Sequence, residues 1–202
     1  MSWSLGEVGA LAVKAARGAG MPWGLADETG FAVKWLQARS LPGVTALCRY
    51  LSRYDGASLP QTAPDISCPI LNGSAYADSA MTPDFAMPAV DSPILLLPFI
   101  AMRTGHRAAT VMMGSARLIV YHNNIFGPGH GTALLMDRAA FQVTANDSAK
   151  RPTDEWLNTC HRVPPYMSCC INRLGQFASR TYAPSTAQSR LTGAGAGLSD
   201  ND

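Results

Sequence analysis

Charge is what this chain has least of. Charged residues make up 15% of its 202 positions, against about 25% in an ordinary soluble domain, so an unusual share of neutral surface must face water or a partner. The 16 basic and 14 acidic residues nearly cancel to a net charge of +2. That balance leaves no basic stripe to neutralise phosphates and argues against nucleic acid as a partner. Long apolar runs are missing too. The longest, Ile94 to Met102, is interrupted by Pro98 and falls well short of the ~18 residues a membrane-spanning helix needs, so it reads as core. The N-terminal stretch carries Glu7 and lacks the basic flank of a secretory signal, which predicts a cytosolic protein. Cysteine is present without a framework. Cys48, Cys68, Cys160, Cys169 and Cys170 are odd in number and irregularly spaced, the pattern of buried thiols in a reducing compartment.

Familiar catalytic signatures are also lacking. There is no G-x-S-x-G elbow to present a nucleophilic serine and no repeat of solenoid length. The spacing of Cys160, His161, Cys169 and Cys170 does not pair ligands as a tetrahedral zinc site does, so no metal centre is expected there. The "GAGAG" run, Gly193 to Gly197, follows no strand and precedes no helix, which disqualifies it as a dinucleotide fingerprint. His122, His130 and His161 each read as surface or satisfied core residues. His130 is the best placed of them for proton exchange, because it sits in the glycine loop "GPGHG".

What is there reads as one α+β domain over residues 1–202, a helical N-terminal layer packed on a small antiparallel sheet. Ser4 and Glu7 form a capping box, and Leu5, Val8, Ala12, Val13 and Ala16 recur at helical spacing. Gly18 and Gly20 are expected to stop this helix. A second helix starts near Trp23 or Gly24 and runs to about Arg39, and a third covers Val44 to about Leu51, completing a layer over 1–51. The proline-rich residues 52–92 read as a long wrapping loop. Residues 93–182 hold the sheet and further helices. Pro93 to Arg103 is expected to be an interrupted buried helix. Two hairpins follow, around Gly114-Ser115 and Asp137-Arg138, giving about four strands. Asp154 to Cys160 is read as one helical turn, Asn172 to Tyr182 as a longer helix, and 183–202 as a glycine-rich tail.

The two ends hold the candidate chemistry. "RGAGMPWGLADETG", Arg17 to Gly30, offers flexible backbone before a helix N-terminus, where amides attract anions, and Arg17 suits bidentate contact with a carboxylate or phosphate. The tail adds Arg190, glycines centred on Gly195, and a carboxylate-rich end in which Asp200 or Asp202 is suited to accept a proton. The plain alternatives are a close-packed helical corner stapled by Trp23 and a tail without a role. These two stretches, Lys14 to Leu36 and Arg180 to Asp202, resemble the terminal motifs of a family of small bacterial proteins known as a domain of unknown function. Trp23, Gly24, Asp27, Glu28, Arg190 and the terminal glycines match that pattern. The resemblance implies no activity and no cofactor.

These readings combine into one expectation. A small anionic, amino-acid-like or carboxylate metabolite is bound by Arg17, Trp23, Gly24, Arg190 and Gly195, with Glu28 or Asp200 as the acid/base group. The alternative is an accessory subunit that docks its weakly charged surface on a larger metabolic enzyme. Low charge predicts a homo-oligomer or such a subunit in either case, with neither nucleic acid nor membrane as partner.

Overall fold

The capping box forms as the sequence predicts. Ser4 Oγ accepts from the Glu7 amide at 3.2 Å and Glu7 Oε2 accepts from the Ser4 amide at 2.7 Å, hydrogen bonds that hold the Glu7 carboxyl below the usual carboxylate range. The structure, a computed structural model, describes residues 2–56, 67–79, 84–127, 134–146, 161–164 and 167–182. Helix α1 (Leu5–Gly18) buries Val8, Ala12, Ala15 and Ala16 and lies against α2 (Trp23–Ala38). Their glycines have distinct jobs. Only Gly20 takes the left-handed backbone, at φ 100°, and the C-cap itself is Ala19 in an ordinary helical conformation. Gly18 instead makes room, since a Cβ there would run into the Phe177 carbonyl of α6 (Ser168–Ser179). Gly30 does the same for α1, whose Val13 side chain occupies the space a Cβ would need.

The side-chain carbonyl of buried Gln37 accepts from the Val44 amide at 3.3 Å, so α2 caps the first turn of α3 (Gly43–Arg53). The expectation of a wrapping loop over 52–92 does not hold for its described part. Residues Pro69–Asp78 form α4 and Phe85–Asp91 form β2. Proline is tolerated at both places for stated reasons. Pro69 occupies the first turn of α4, where no amide donor is required, behind Cys68, whose sulfur accepts from the Leu71 amide at 3.4 Å. Pro88 lies on an edge strand within a register shift between Met87 and Val90.

Pro93–Leu96 make a short 3-10 turn that leads into α5 (Leu97–Thr104), and every residue from Asp91 to Ala101 is buried. Pro98 stands in the first turn of α5, where a missing N–H does no harm. This buried segment contacts α2, α3 and α4 on one side and β4 and β6 on the other, so it forms the core between helices and sheet. The sheet contains β3 (Ala108–Met113), β4 (Ala116–Tyr121), β5 (Asn124–Phe126) and β6 (Arg138–Asn146). With β2 it runs in the order β2-β6-β3-β4-β5, every neighbouring pair antiparallel.

The hairpin at Gly114-Ser115 is present, with Gly114 at φ 56°. The expected hairpin around Asp137-Arg138 is not: Leu135 to Asp137 lead into a single nine-residue strand that pairs with β3 on one side and β2 on the other. A two-stranded ladder joins β1 (Trp3–Ser4) to β7 (Arg162–Val163). The apolar face of α6, Ile171, Leu174, Phe177 and Ala178, packs on α1 and α3. The fold is α+β, helices first and an antiparallel sheet after. The "GPGHG" loop after Gly127, with His130, the turn Asp154 to Cys160 and the tail over 183–202 lie outside the described residues.

Candidate functional site

The sequence points to the corner between α1 and α2. There Arg17 turns back on its own chain: Nη1 donates to the Met21 carbonyl, and the guanidinium lies 4.3 Å from the centre of the Trp23 ring. Trp23 is 68% exposed, so it is a shelf for Arg17 and not a buried staple of the corner. Among the described residues a Cβ added at Gly24 would meet nothing, and no close backbone approach within them depends on that glycine. Glu28 is half-buried. Burial first, then the nearby Asp78 and Asp27 carboxylates, holds its carboxyl above the usual glutamate range. Arg190, Gly195, Asp200 and Asp202 lie outside the described residues.

A second place was not legible beforehand. Phe31 and Trp35 from α2, Ala101, Met102 and Gly105 at the end of α5, His106, and the His122-Asn123 turn line a cleft of about 360 Å³. Its lining combines apolar side chains with two histidines and an asparagine, a mixture a small-molecule site can use. Phe31 is 37% and Met102 49% exposed, so two large apolar side chains of the lining reach solvent.

The turn at the mouth is held tightly. His122 and Asn123 have φ of 47° and 61° and connect β4 to β5 through the pair Tyr121↔Asn124. A two-residue hairpin loop with both residues left-handed normally takes Asn-Gly. Histidine at its first position costs about 1–2 kcal/mol of backbone preference, and such strain is concentrated at functional sites. Neighbouring groups on α2 compensate. Trp35 Nε1 donates to Asn123 Oδ1 at 2.8 Å, and Arg39 donates from Nε and Nη2 to the Asn123 carbonyl at 3.0 and 2.8 Å. Arg39 also lies 3.7 Å over the Trp35 ring, and burial pushes its guanidinium below the usual arginine range.

Held in this way, His122 meets His106 across the cleft mouth. Their Nδ1 atoms are 3.4 Å apart, the ring centres 5.0 Å apart and the planes inclined at 61°. The Tyr121 ring backs the His122 ring at 4.3 Å. The register that puts Ala108 opposite Tyr121 is what brings two histidines sixteen residues apart in sequence into contact. A hairpin centred on Gly114-Ser115 carries that signal for anyone who extends it past the strand ends.

Other polar clusters are tied up in the architecture. Asp91, only 1% exposed, receives Arg53 Nη1 at 2.8 Å and the Tyr54 hydroxyl, with Arg138 Nη1 at 3.8 Å. This network pins α3 to the β2–β6 edge, next to Ser92 in a left-handed conformation at φ 44°. The adjacent Tyr50 hydroxyl has no nitrogen or oxygen partner among the described residues; burial and the neighbouring Cys68 thiol push its ionisation well up. Asp55 ties α3 to the end of α6 through Arg173 at 2.6 Å and Arg180 at 2.7 Å. Among the described residues the thiols are less buried than expected, and Cys160 lies outside them. Cys68 is buried, Cys48 and Cys170 are half-buried and Cys169 is exposed. Burial, then the neighbouring Cys48 and Cys169 thiols, push Cys170 up to about 12.

No described helix is long and apolar enough to cross a membrane. No curated protein and no solved structure matches the chain. Residues 3–76, from β1 through most of α4, match the family model described as Protein of unknown function (DUF3726), so the helical layer, with the Arg17 to Gly30 corner, is similar to a family of unknown function.

Proposed function

We propose that the chain is a cytosolic, enzyme-like protein that binds a small anionic metabolite in the cleft between α2, the end of α5 and the His122-Asn123 turn. The carrying observation is the imidazole pair, held by a strained and clamped turn at the mouth of an aromatic cleft. The apolar body of the ligand lies on Phe31, Trp35 and Met102, and its carboxylate faces His106 and His122. Imidazole is the side chain best able to give and take a proton near neutral pH, so acid/base chemistry at this end is the natural use of the pair. Glu28 lies on the same face of α2, seven residues before Trp35 and so about 10 Å along the helix. A carboxyl held above its ordinary range is suited to a second proton transfer on a ligand extending that way.

A thermal-shift screen of carboxylate metabolites tests this reading, because a ligand that binds only the folded state stabilises it by mass action. His122→Asn is the informative variant: asparagine is well accommodated in the left-handed region, so the turn survives while the imidazole is lost. A metabolite that stabilises the natural chain should no longer stabilise His122→Asn. Equal stabilisation of both proteins would remove the cleft from consideration.

One observation favours the accessory-subunit reading as well. The outer face of the sheet carries a shallow groove of about 530 Å³ lined by Ala86, Met87, Pro88, Met112 and Gln142 among others, none of them charged. A larger enzyme docking there would leave the cleft free.

A further inference from the structure

We infer that His106 and His122 together hold one divalent transition-metal ion, ligated through Nδ1 of both rings, and that the anion of the metabolite completes its coordination. The inference rests on the proposed cleft and names what its polar end binds with; rings ligated through Nδ1 no longer exchange protons there, so in this form Glu28 carries the acid/base role and the pair carries the ion. Nitrogen ligands lie about 2.0–2.1 Å from zinc and its neighbours, so two of them at a tetrahedral angle must be about 3.3–3.4 Å apart. The two Nδ1 atoms are 3.4 Å apart. As a hydrogen bond between rings the same distance is poor, since N–H donors prefer about 2.9–3.0 Å. The pair is spaced for a shared ion more closely than for a shared proton.

Preorganisation points the same way. The His122 ring is backed by Tyr121, its backbone is held left-handed, and the next residue is tied to Trp35 and Arg39. His106 follows Gly105, which turns the chain out of α5 at φ 56°. Both rings are exposed, so an ion reaches them from solvent, and the clamped turn fixes the His122 ligand. The donor set selects the metal class. Imidazole suits zinc, copper, cobalt, nickel and iron and serves calcium or magnesium poorly. No group of three or more His, Cys, Asp or Glu side chains arranged for a metal occurs among the described residues, so within them the pair provides two ligands and leaves positions open. Arg39, stacked on the Trp35 ring and bonded to the Asn123 carbonyl, adds a positive charge beside the turn that opposes a bare dication and favours one carrying an anion. An open-sided, anion-completed ion is therefore the form this cleft selects, and it gives a carboxylate metabolite a direct bond at the polar end.

Cobalt(II) chloride alone, added to the full chelator-treated chain, is the probe. Tetrahedral cobalt on nitrogen and oxygen ligands should give a saturable visible absorption at one ion per chain, without the thiolate-to-cobalt charge-transfer band. His106→Ala and His122→Asn should each weaken binding by more than the roughly tenfold that loss of an outer-shell partner alone brings, while Cys169→Ser leaves it unchanged. Should either histidine variant fold poorly by circular dichroism, paramagnetic broadening in the natural chain replaces it: the ring signals of His106 and His122 should broaden first. Absence of saturable binding, a charge-transfer band abolished by Cys169→Ser, or broadening confined to other histidines overturns the inference. Repeating the carboxylate screen with and without chelator separates the two proposals. Carboxylate binding that depends on His122 but ignores the chelator sinks the metal and keeps the cleft. Cobalt binding whose spectrum no carboxylate alters keeps the metal and sinks the metabolite.

Discussion

At the scale of single residues, exposure decides what a side chain is for. Trp23 has the size of a core anchor, yet at 68% exposed it has little core to lose. Trp23→Ala should cost under about 1 kcal/mol, the size of an exposed cation–π contact, in place of the roughly 3–5 kcal/mol of a buried tryptophan; urea denaturation distinguishes the two. Gly18 reverses the expectation. Alanine is normally the better helix residue by about 1 kcal/mol, but here its methyl would meet the Phe177 carbonyl. Gly18→Ala should lose roughly 1–3 kcal/mol, as overpacking does, and a gain in the same assay would mean that α1 and α6 do not touch there. Glu28 gives a pH signature. Its carboxyl is raised in the folded state, so the protonated form is preferred there, and the associated stability is present below the ordinary glutamate pKa and lost as pH rises through the folded value. Glu28→Gln should therefore raise Tm at pH 7 relative to the natural chain, and the difference should shrink towards pH 4.

At the scale of elements, the Asp91 network shows how α3 is fastened to the sheet. Removing Arg53 leaves a carboxylate buried at 1% exposure with Tyr54 close and Arg138 at 3.8 Å. Removing Asp91 leaves guanidiniums that already reach water. Breaking a buried pair from the carboxylate-stranding side costs about 3 kcal/mol at the low end, so Arg53→Met should destabilise by that much and Asp91→Asn by less. Equal losses in urea would show that Asp91 is better solvated than its burial implies.

Elements also explain what could be read in advance. The capping box, a third helix read from Val44 and found from Gly43, and the Gly114-Ser115 hairpin are local, each carried by a few consecutive residues, and each is legible in sequence. Helix α4 and strand β2 were hidden by Pro69 and Pro88, read as loop signals although they stand at the positions where helices and edge strands accept proline. The single strand β6 reads in sequence as a hairpin because Asp137-Arg138 looks like a turn, while its two partners are distant in sequence. The cleft leaves no local trace in sequence for the same reason. Nothing near His106 in sequence announces His122; only the register of β3 on β4 and the clamp from α2 bring them together.

At the scale of the whole molecule, the shortage of charge has a location. The described ion pairs gather where α3 meets the β2–β6 edge and the end of α6, in Arg49, Arg53, Asp91, Asp137 and Arg138 and in Asp55, Arg173 and Arg180. Across the outer face of the sheet the pairings set Ala86, Gln142 and Met112 side by side, with Arg117 at the end of the row. A face whose central row is small, amide and thioether side chains, with arginines only at its margins, is a poor boundary with water and a good one with a similar face. The chain should therefore sediment as a multiple of 21.4 kDa at micromolar concentration, two copies meeting sheet to sheet. Met112→Lys tests the face itself, because it sets a second cation beside Arg117 on each copy and brings like charges together across the contact. The variant should dissociate towards 21.4 kDa while keeping the thermal stability of its monomer, since Met112 is only half-buried. It should also keep ligand binding in the cleft, which none of these residues lines. A natural chain that sediments as a monomer, or a Met112→Lys chain that stays assembled, would mean that the neutral face is covered by something other than a second copy.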